Sequence, residues 1–392
     1  MPLKPISEEI TAWSRKQTIV FALSLNRHIA TQCSKRRKPN MHSDHVYEQL
    51  AEALDKLPNG FPRTASGIEI RLLKKIFSPE EASLASQLSG SMESADAIAK
   101  RTELSLEEAG EKLKNMAKRG FLWYCEKGGK PFFRLAPFVV GIYEAQLENM
   151  DHELAHLFED YMAEGGAAGI MKPQPALHRV VPAQKAVKSE WILPYDDVKT
   201  VLLESKAFRL QDCICRKQQD HIGRKCTFPL RTCLSFSSNE RPPNPLSISK
   251  EEALAFLDKA EEMGLVHTVS NVAKGIGYVC NCCGCCCGIL RGINDWGIEN
   301  SVAYANYYAE ISSEECLNCG TCRNRCQVHA ISEQDGVSTV NLKKCIGCGL
   351  CVTGCPNGAA TLKRKPESQI ANPPADFETW EHERLHNRGL SE

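Results

Sequence analysis

Of the twenty cysteines in this 392-residue chain, all but Cys33 and Cys125 lie between Cys213 and Cys355, so thiol chemistry constrains what that half can fold around. A secreted disulfide scaffold is usually a short chain. Here C-x2-C spacings repeat inside a long one with no evident signal peptide, which points to thiolates binding metal in a reducing cytoplasm.

The length predicts two or three domains, and 42% hydrophobic content gives each a core. Forty-eight basic against forty-eight acidic residues leave no net charge, which removes the bulk electrostatic argument for nucleic acid or anionic membrane. No apolar run approaches the roughly 20 residues of a membrane helix. Residues 1–40 read as a basic, poorly ordered extension, with basic residues Lys35 to Lys38 near its end. Met41 stands directly before the first helical pattern, His45 to Leu57, so translation from Met41 is an expectation that intact mass from the native source decides.

The predicted fold class is α+β and multidomain. Residues 41–143 are read as a helical lead-in and a compact helical unit. Ile68, Leu72, Leu73 and Ile76 fall at helical spacing, and Ser78-Pro79-Glu80-Glu81 opens a second helix with a capping box. Ser94 to Arg101 is a short helix. Ser105 to Glu108 is another capping box, opening a helix with Leu106, Ala109, Leu113, Met116 and Ala117 on its apolar face. Gly120 stops it, and two aromatic-rich strands follow around Lys127-Gly128-Gly129-Lys130. Over residues 67–136 this pattern resembles a winged helix, a family that often binds DNA through its third helix. Glu107, Glu108 and Glu111 crowd the first turns of that helix, where base-reading residues usually sit, so protein docking or an architectural role is the expectation.

Residues 144–300 are read as a linker and a mixed α/β, cysteine-rich metal-binding domain. A helix is expected over residues 144–162. Gly165, Gly166, Pro173, Pro175 and Pro182 mark an irregular crossing, helical spacing returns at Tyr195 to Phe208, and Ser249 caps a helix running to Met263. Around these stand Cys213, Cys215, Cys226 and Cys233, and then Cys280, Cys282, Cys283, Cys285, Cys286 and Cys287. Soft thiolates select iron–sulfur clusters, zinc or cuprous copper, and this spacing leaves a further cluster, zinc and thiol redox chemistry all open. Ten thiols exceed one four-ligand site, so two centres, or one centre and a redox pair, are possible. His267 reads as a structural histidine before a ligand, and Arg216 as a candidate hydrogen-bond donor to cluster sulfur.

The most specific signal is a pair of octads: Cys316-x2-Cys319-x2-Cys322-x3-Cys326, then Cys345-x2-Cys348-x2-Cys351-x3-Cys355-Pro356. Residues 307–364 closely resemble a bacterial two-cluster ferredoxin. The resemblance implies one 4Fe-4S cluster on Cys316, Cys319, Cys322 and Cys355, and a second on Cys345, Cys348, Cys351 and Cys326. It also implies one-electron transfer at low potential. Gln327 departs from the family, which usually has proline there. Over residues 45–364 the order of parts is similar to multidomain 4Fe-4S proteins of anaerobes, a likeness that brings cofactor and context but no substrate.

Residues 365–392 read as a polar tail or partner-docking segment with a short helix at Phe377 to Leu385, on which His382 and His386 are solvated. No nucleophile, acid–base carboxylate pair or phosphate loop stands out. The leading expectation is electron transfer between the ferredoxin part, the middle cysteines and redox partner proteins of an anaerobic complex. The alternatives are a redox-sensing winged-helix regulator and a reductase, an oxidoreductase component with the middle cysteines as its reaction centre.

Overall fold

The computed structural model describes residues 41–390. The expected basic extension, residues 1–40, lies outside them, as does Cys33. Among the described residues no helix is long and apolar enough to cross a membrane.

The N-terminal helices include Ile68–Ile76, Pro79–Ala85, Ala95–Thr102 and Leu106–Lys118. Ser78 and Ser105 accept the amides of Glu81 and Glu108, and each glutamate reaches back to its serine amide, so both capping boxes form. Strands Leu122–Lys127 and Lys130–Leu135 make the hairpin, and Glu93–Ser94 pairs with the second of them. Ala109, Leu113 and Met116 face the core, whereas Leu106, expected with them, is exposed in the first turn. Arg119 pairs with Glu81, and Arg101 with Glu93 at 2.6 Å, so two basic groups of this unit are committed internally.

Residues 144–162 are not one helix. Glu144–Gln146 makes a single turn, and Asp151 then accepts the Leu154 amide to cap a new helix, His152–Tyr161. The proline-marked crossing that follows also contains a strand, His178–Val181, at the edge of the central sheet. That sheet runs in the order His178–Val181, Val266–Ser270, Tyr278–Cys282, Arg231–Ser237, Ala207–Asp212, Ser247–Ile248, every neighbour antiparallel. The stretch expected to be helical from Tyr195 to Phe208 divides into helix Val198–Glu204 and the start of a strand, with Ser205 and Lys206 between them. This helix and Lys250–Met263 pack their Val198, Leu202, Ala253 and Leu257 against Val181, Leu234, Val269 and Val279 of the sheet. The opposite face carries Cys233, Cys280 and Cys282.

In the C-terminal part, Tyr307–Ile311 pairs with Ala360–Arg364, and Ile331–Gln334 with Val337–Val340, around short helices Thr321–Arg325 and Leu350–Thr353. The segment expected as a polar tail instead packs onto the molecule through helix Phe377–Asn387. Trp380 donates its indole N–H to the Ala176 carbonyl at 3.0 Å. Arg384, fully buried, donates to the carbonyls of Pro58 at 2.8 Å, Pro175 at 2.6 Å, Pro173 and Ile170. A planar five-donor guanidinium can serve four separated carbonyls, which an ammonium cannot. His382 and His386 are exposed on the outer side. Arg384→Met leaves those carbonyls without their donor and is expected to cost about 3 kcal/mol or more, read as a lower urea midpoint of the full chain.

Candidate metal centres

Both ferredoxin-like octads converge on small cavities. One, of about 20 Å³, is lined by Cys316, Cys319, Cys322 and Cys355 with Ile311, Ser338 and Pro356. The other, also about 20 Å³, is lined by Cys326, Cys345, Cys348 and Cys351 with Val328, Ile346 and Leu350. Each group of four thus draws three cysteines from one octad and the last from the other. Backbone amides point at sulfur: Ala330 N–H donates to Cys326 Sγ at 3.1 Å and Ala309 N–H to Cys345 Sγ at 3.5 Å. The amides of Ser338 and Asn318 hold the Cys316 thiol below its ordinary range. In the second cavity the dominant effect is burial, which pushes Cys351 up to about 12 and Cys348 well above its ordinary value. Such thiols give up their protons only to a cation that compensates the charge.

The ten middle cysteines divide four and six. Cys226, Cys283, Cys285 and Cys286 bring their sulfurs within 4.8 Å of one another beside Phe228, Phe256, Ala260 and Leu265. Cys285 Sγ and Cys286 Sγ are 3.7 Å apart. The Cys283 thiol is held far below its ordinary value, first by Cys285, then by Cys286, and also by the Arg216 guanidinium. Four convergent thiols in a compact group are the donor set of either zinc or an iron–sulfur cube.

The remaining six, Cys213, Cys215, Cys233, Cys280, Cys282 and Cys287, all line a cavity of about 280 Å³. The sheet explains their meeting. Cys280 and Cys282 are two apart on one strand and so share a face, and Cys233 is directly opposite Cys280 on the next strand. Cys213 and Cys287 are the residues at which helices Ile214–His221 and Gly288–Asn294 begin. The thiols are neighbours in a run, Cys213 to Cys215 to Cys287 to Cys282 to Cys280 to Cys233. Cys280 is raised by its neighbours Cys233 and Cys282, and the same contacts lower Cys233 and bring Cys282 to about 5.

Other walls of this chamber were not legible in the spacing. Burial raises the Glu144 carboxyl to about 7 and lowers His178 to about 4, leaving the imidazole neutral near pH 7. Tyr278 Oη is 2.8 Å from His178 Nε2 and accepts from Ser270 Oγ at 2.8 Å. Thr268 Oγ1 stands 3.4 Å from His178 Nδ1 and 3.5 Å from Cys282 Sγ. Arg216 is buried between the two cysteine groups, donating to Thr232 Oγ1 and, at 3.0 Å, to the Asn281 carbonyl. His267 is apart from the thiols: its Nδ1 is 2.7 Å from Asn281 Oδ1 and its Nε2 is 3.5 Å from Glu261.

Gln327, the departure from the ferredoxin pattern, joins the two regions. Its side-chain oxygen accepts the Gly284 amide at 2.8 Å, its side-chain nitrogen donates to the Gly264 carbonyl at 2.9 Å, and its own carbonyl accepts from Asn294 at 2.9 Å. One hydrogen bond therefore links the residue after Cys326 to the residue between Cys283 and Cys285. Proline at 327 has no side-chain amide for either contact. Arg325 adds to the joint, donating to Leu350, Glu261 and Glu262 carbonyls at 2.6 to 2.8 Å.

A family model described as a 4Fe-4S dicluster domain matches residues 309–362. Neither the curated proteins nor the solved structures contain a match to the chain. The chain thus carries a ferredoxin-like iron–sulfur domain near its C-terminus and, in its middle, a cysteine group able to hold a metal. The thiol-lined cavities with amides aimed at sulfur fit such clusters.

Gly284 is fixed by contact: a Cβ there stands 1.9 Å from the Gln327 carbonyl oxygen. Gly284→Ala is expected to disrupt the group of Cys226, Cys283, Cys285 and Cys286 and to lower metal content by that centre alone. Metal analysis with low-temperature EPR checks this, the ferredoxin-like signals remaining.

Proposed function

We propose that the protein is a cytoplasmic iron–sulfur electron-transfer protein that exchanges electrons with redox partner proteins of an anaerobic complex. In this reading Cys316, Cys319, Cys322 and Cys355 hold one 4Fe-4S cube. Cys345, Cys348, Cys351 and Cys326 hold another, and Cys226, Cys283, Cys285 and Cys286 a further one. Bound cubes supply one-electron transfer. The chain's own residues keep the thiols convergent, aim amides at sulfur and exclude water with Val328, Ile346, Leu350, Phe228 and Leu265.

The observation that carries the reading is the hydrogen bond from Gly284 to Gln327. It connects two cysteine groups by a covalent and hydrogen-bonded path, which couples electron donors and acceptors better than a gap of the same length. In this reading the middle group holds iron, since zinc has no redox chemistry to couple. The winged-helix reading of residues 67–136 is kept as a protein-docking module. Its Arg101 and Arg119 are already paired, and genomic fragments at low salt are expected to give no mobility shift in either redox state.

Gln327→Ala tests the relay. Iron and acid-labile sulfide are expected to stay at the wild-type level, while reduction of the middle centre after rapid mixing with dithionite slows at least tenfold. An unchanged rate excludes Gln327 as the route, and a middle group loaded with zinc after anaerobic purification excludes the relay.

A further inference from the structure

The six-thiol chamber is left over by the relay just described. Six thiols exceed the four that a cube uses. No two of them are set apart as a spare pair, because all six line the same void and form one continuous run of neighbours. The void is also of a different size: about 280 Å³, against about 20 Å³ in each ferredoxin-like cavity of the same molecule.

Its lining asks for an acceptor-rich occupant. Tyr143 and Arg216 both line it, both are more than nine-tenths buried, and each keeps one buried polar atom, Tyr143 Oη and Arg216 Nε, with no hydrogen-bond partner among the described residues. Both atoms are donors. A buried donor without an acceptor costs free energy, and inorganic sulfide and thiolate in a resident cluster supply acceptors. The Gly288 amide at the head of its helix already points at Cys215. Val139, Val140, Phe158, Met162 and Trp296 form a dry apolar surround.

We infer that the chamber is a separate iron–sulfur centre of the middle region, larger than one cube and held by all six thiols. Resting on the electron-transfer reading, it lies next in line after the Cys226 group. Cys283 and Cys286 of that group form part of the chamber wall, and Arg216 touches both sets. The charge of Arg216 offsets the negative charge that two thiolate-bound centres bring together.

Iron per chain on the anaerobically purified full-length protein is the first test, and it needs no variant. Two cubes, a third in the Cys226 group and a chamber centre larger than a cube sum to more than about sixteen irons; where metal analysis finds zinc in the Cys226 group the sum is more than about twelve, and a total at or below the applicable figure overturns the proposal. The two middle sites are then separated. Cys226→Ser with Cys285→Ser is expected to remove about four irons and to leave the rest. Cys213→Ser, Cys233→Ser and Cys280→Ser together are expected to remove more than four, with the ferredoxin-like EPR signals kept as the control for folding.

Iodoacetamide on the native wild-type protein, read by peptide mass, is expected to label none of the six. Labelling of two of them with a four-iron loss overturns the larger centre in favour of a cube and a free thiol pair. No iron loss from the triple variant overturns the site altogether. Neither result touches the relay reading, which fails instead if the Cys226 and Cys285 variant loses no iron.

Discussion

Buried thiols cannot ionise together without a cation among them, and the cysteine-rich half of this molecule depends on that constraint. Its sulfurs are packed where burial raises Cys348 and Cys351, and where the neighbouring Cys233 and Cys282 raise Cys280. Hydrophobic walls alone make this arrangement unfavourable, since they solvate neither thiolate nor any partner charge. A metal reverses the balance, because ligation replaces the proton and the same low dielectric then strengthens the thiolate–metal attraction. The binding free energy is then folding free energy for the loops that carry the ligands. Arg384 and Trp380, by contrast, tie together segments with no cysteine in them.

The contact between the ferredoxin-like region and the middle region is built from main-chain groups. Gln327 reads a glycine amide and a glycine carbonyl, and Arg325 reads three carbonyls, two of them at the end of helix Lys250–Met263. Both side chains grip main-chain atoms of the middle region, which ties the ferredoxin-like region to its backbone. The cost is intolerance: the approach at Gly284 leaves no room for a methyl group.

Much of the C-terminal part could be read from spacing, because the octads state which cysteines are near in sequence and the ferredoxin resemblance supplies the crossing of the last one. The capping boxes at Ser78, Ser105 and Ser249 were legible for a related reason, being local chemistry within four residues. What failed was long-range. Nothing local distinguishes His178–Val181, in a proline-marked crossing, from a linker until Val266–Ser270 lies beside it. The polar composition of residues 377–387 hid Trp380 and Arg384, whose partners lie some two to three hundred residues away in sequence. Glu144, His178 and Tyr278 entered the chamber wall for the same reason.

The division of the ten middle cysteines into four and six follows from period. On strand Tyr278–Cys282, residues two apart share a face, so Cys280 and Cys282 look into the chamber while Asn281 meets His267 toward helix Lys250–Met263. After Cys282 the strand ends, the alternation lapses, and the turn through Gly284 carries Cys283, Cys285 and Cys286 to Cys226. Helix Gly288–Asn294 then starts at Cys287 and returns that thiol to the chamber. Cys213 and Cys215 approach the same void from the head of another helix. A run of six cysteines within eight residues is thus sorted by the passage from strand to turn to helix, and two of the three overlapping C-x2-C pairs visible in the sequence are split between the groups. Cys280 and Cys283, three apart, belong to different groups, whereas Cys283 and Cys286, also three apart, share one.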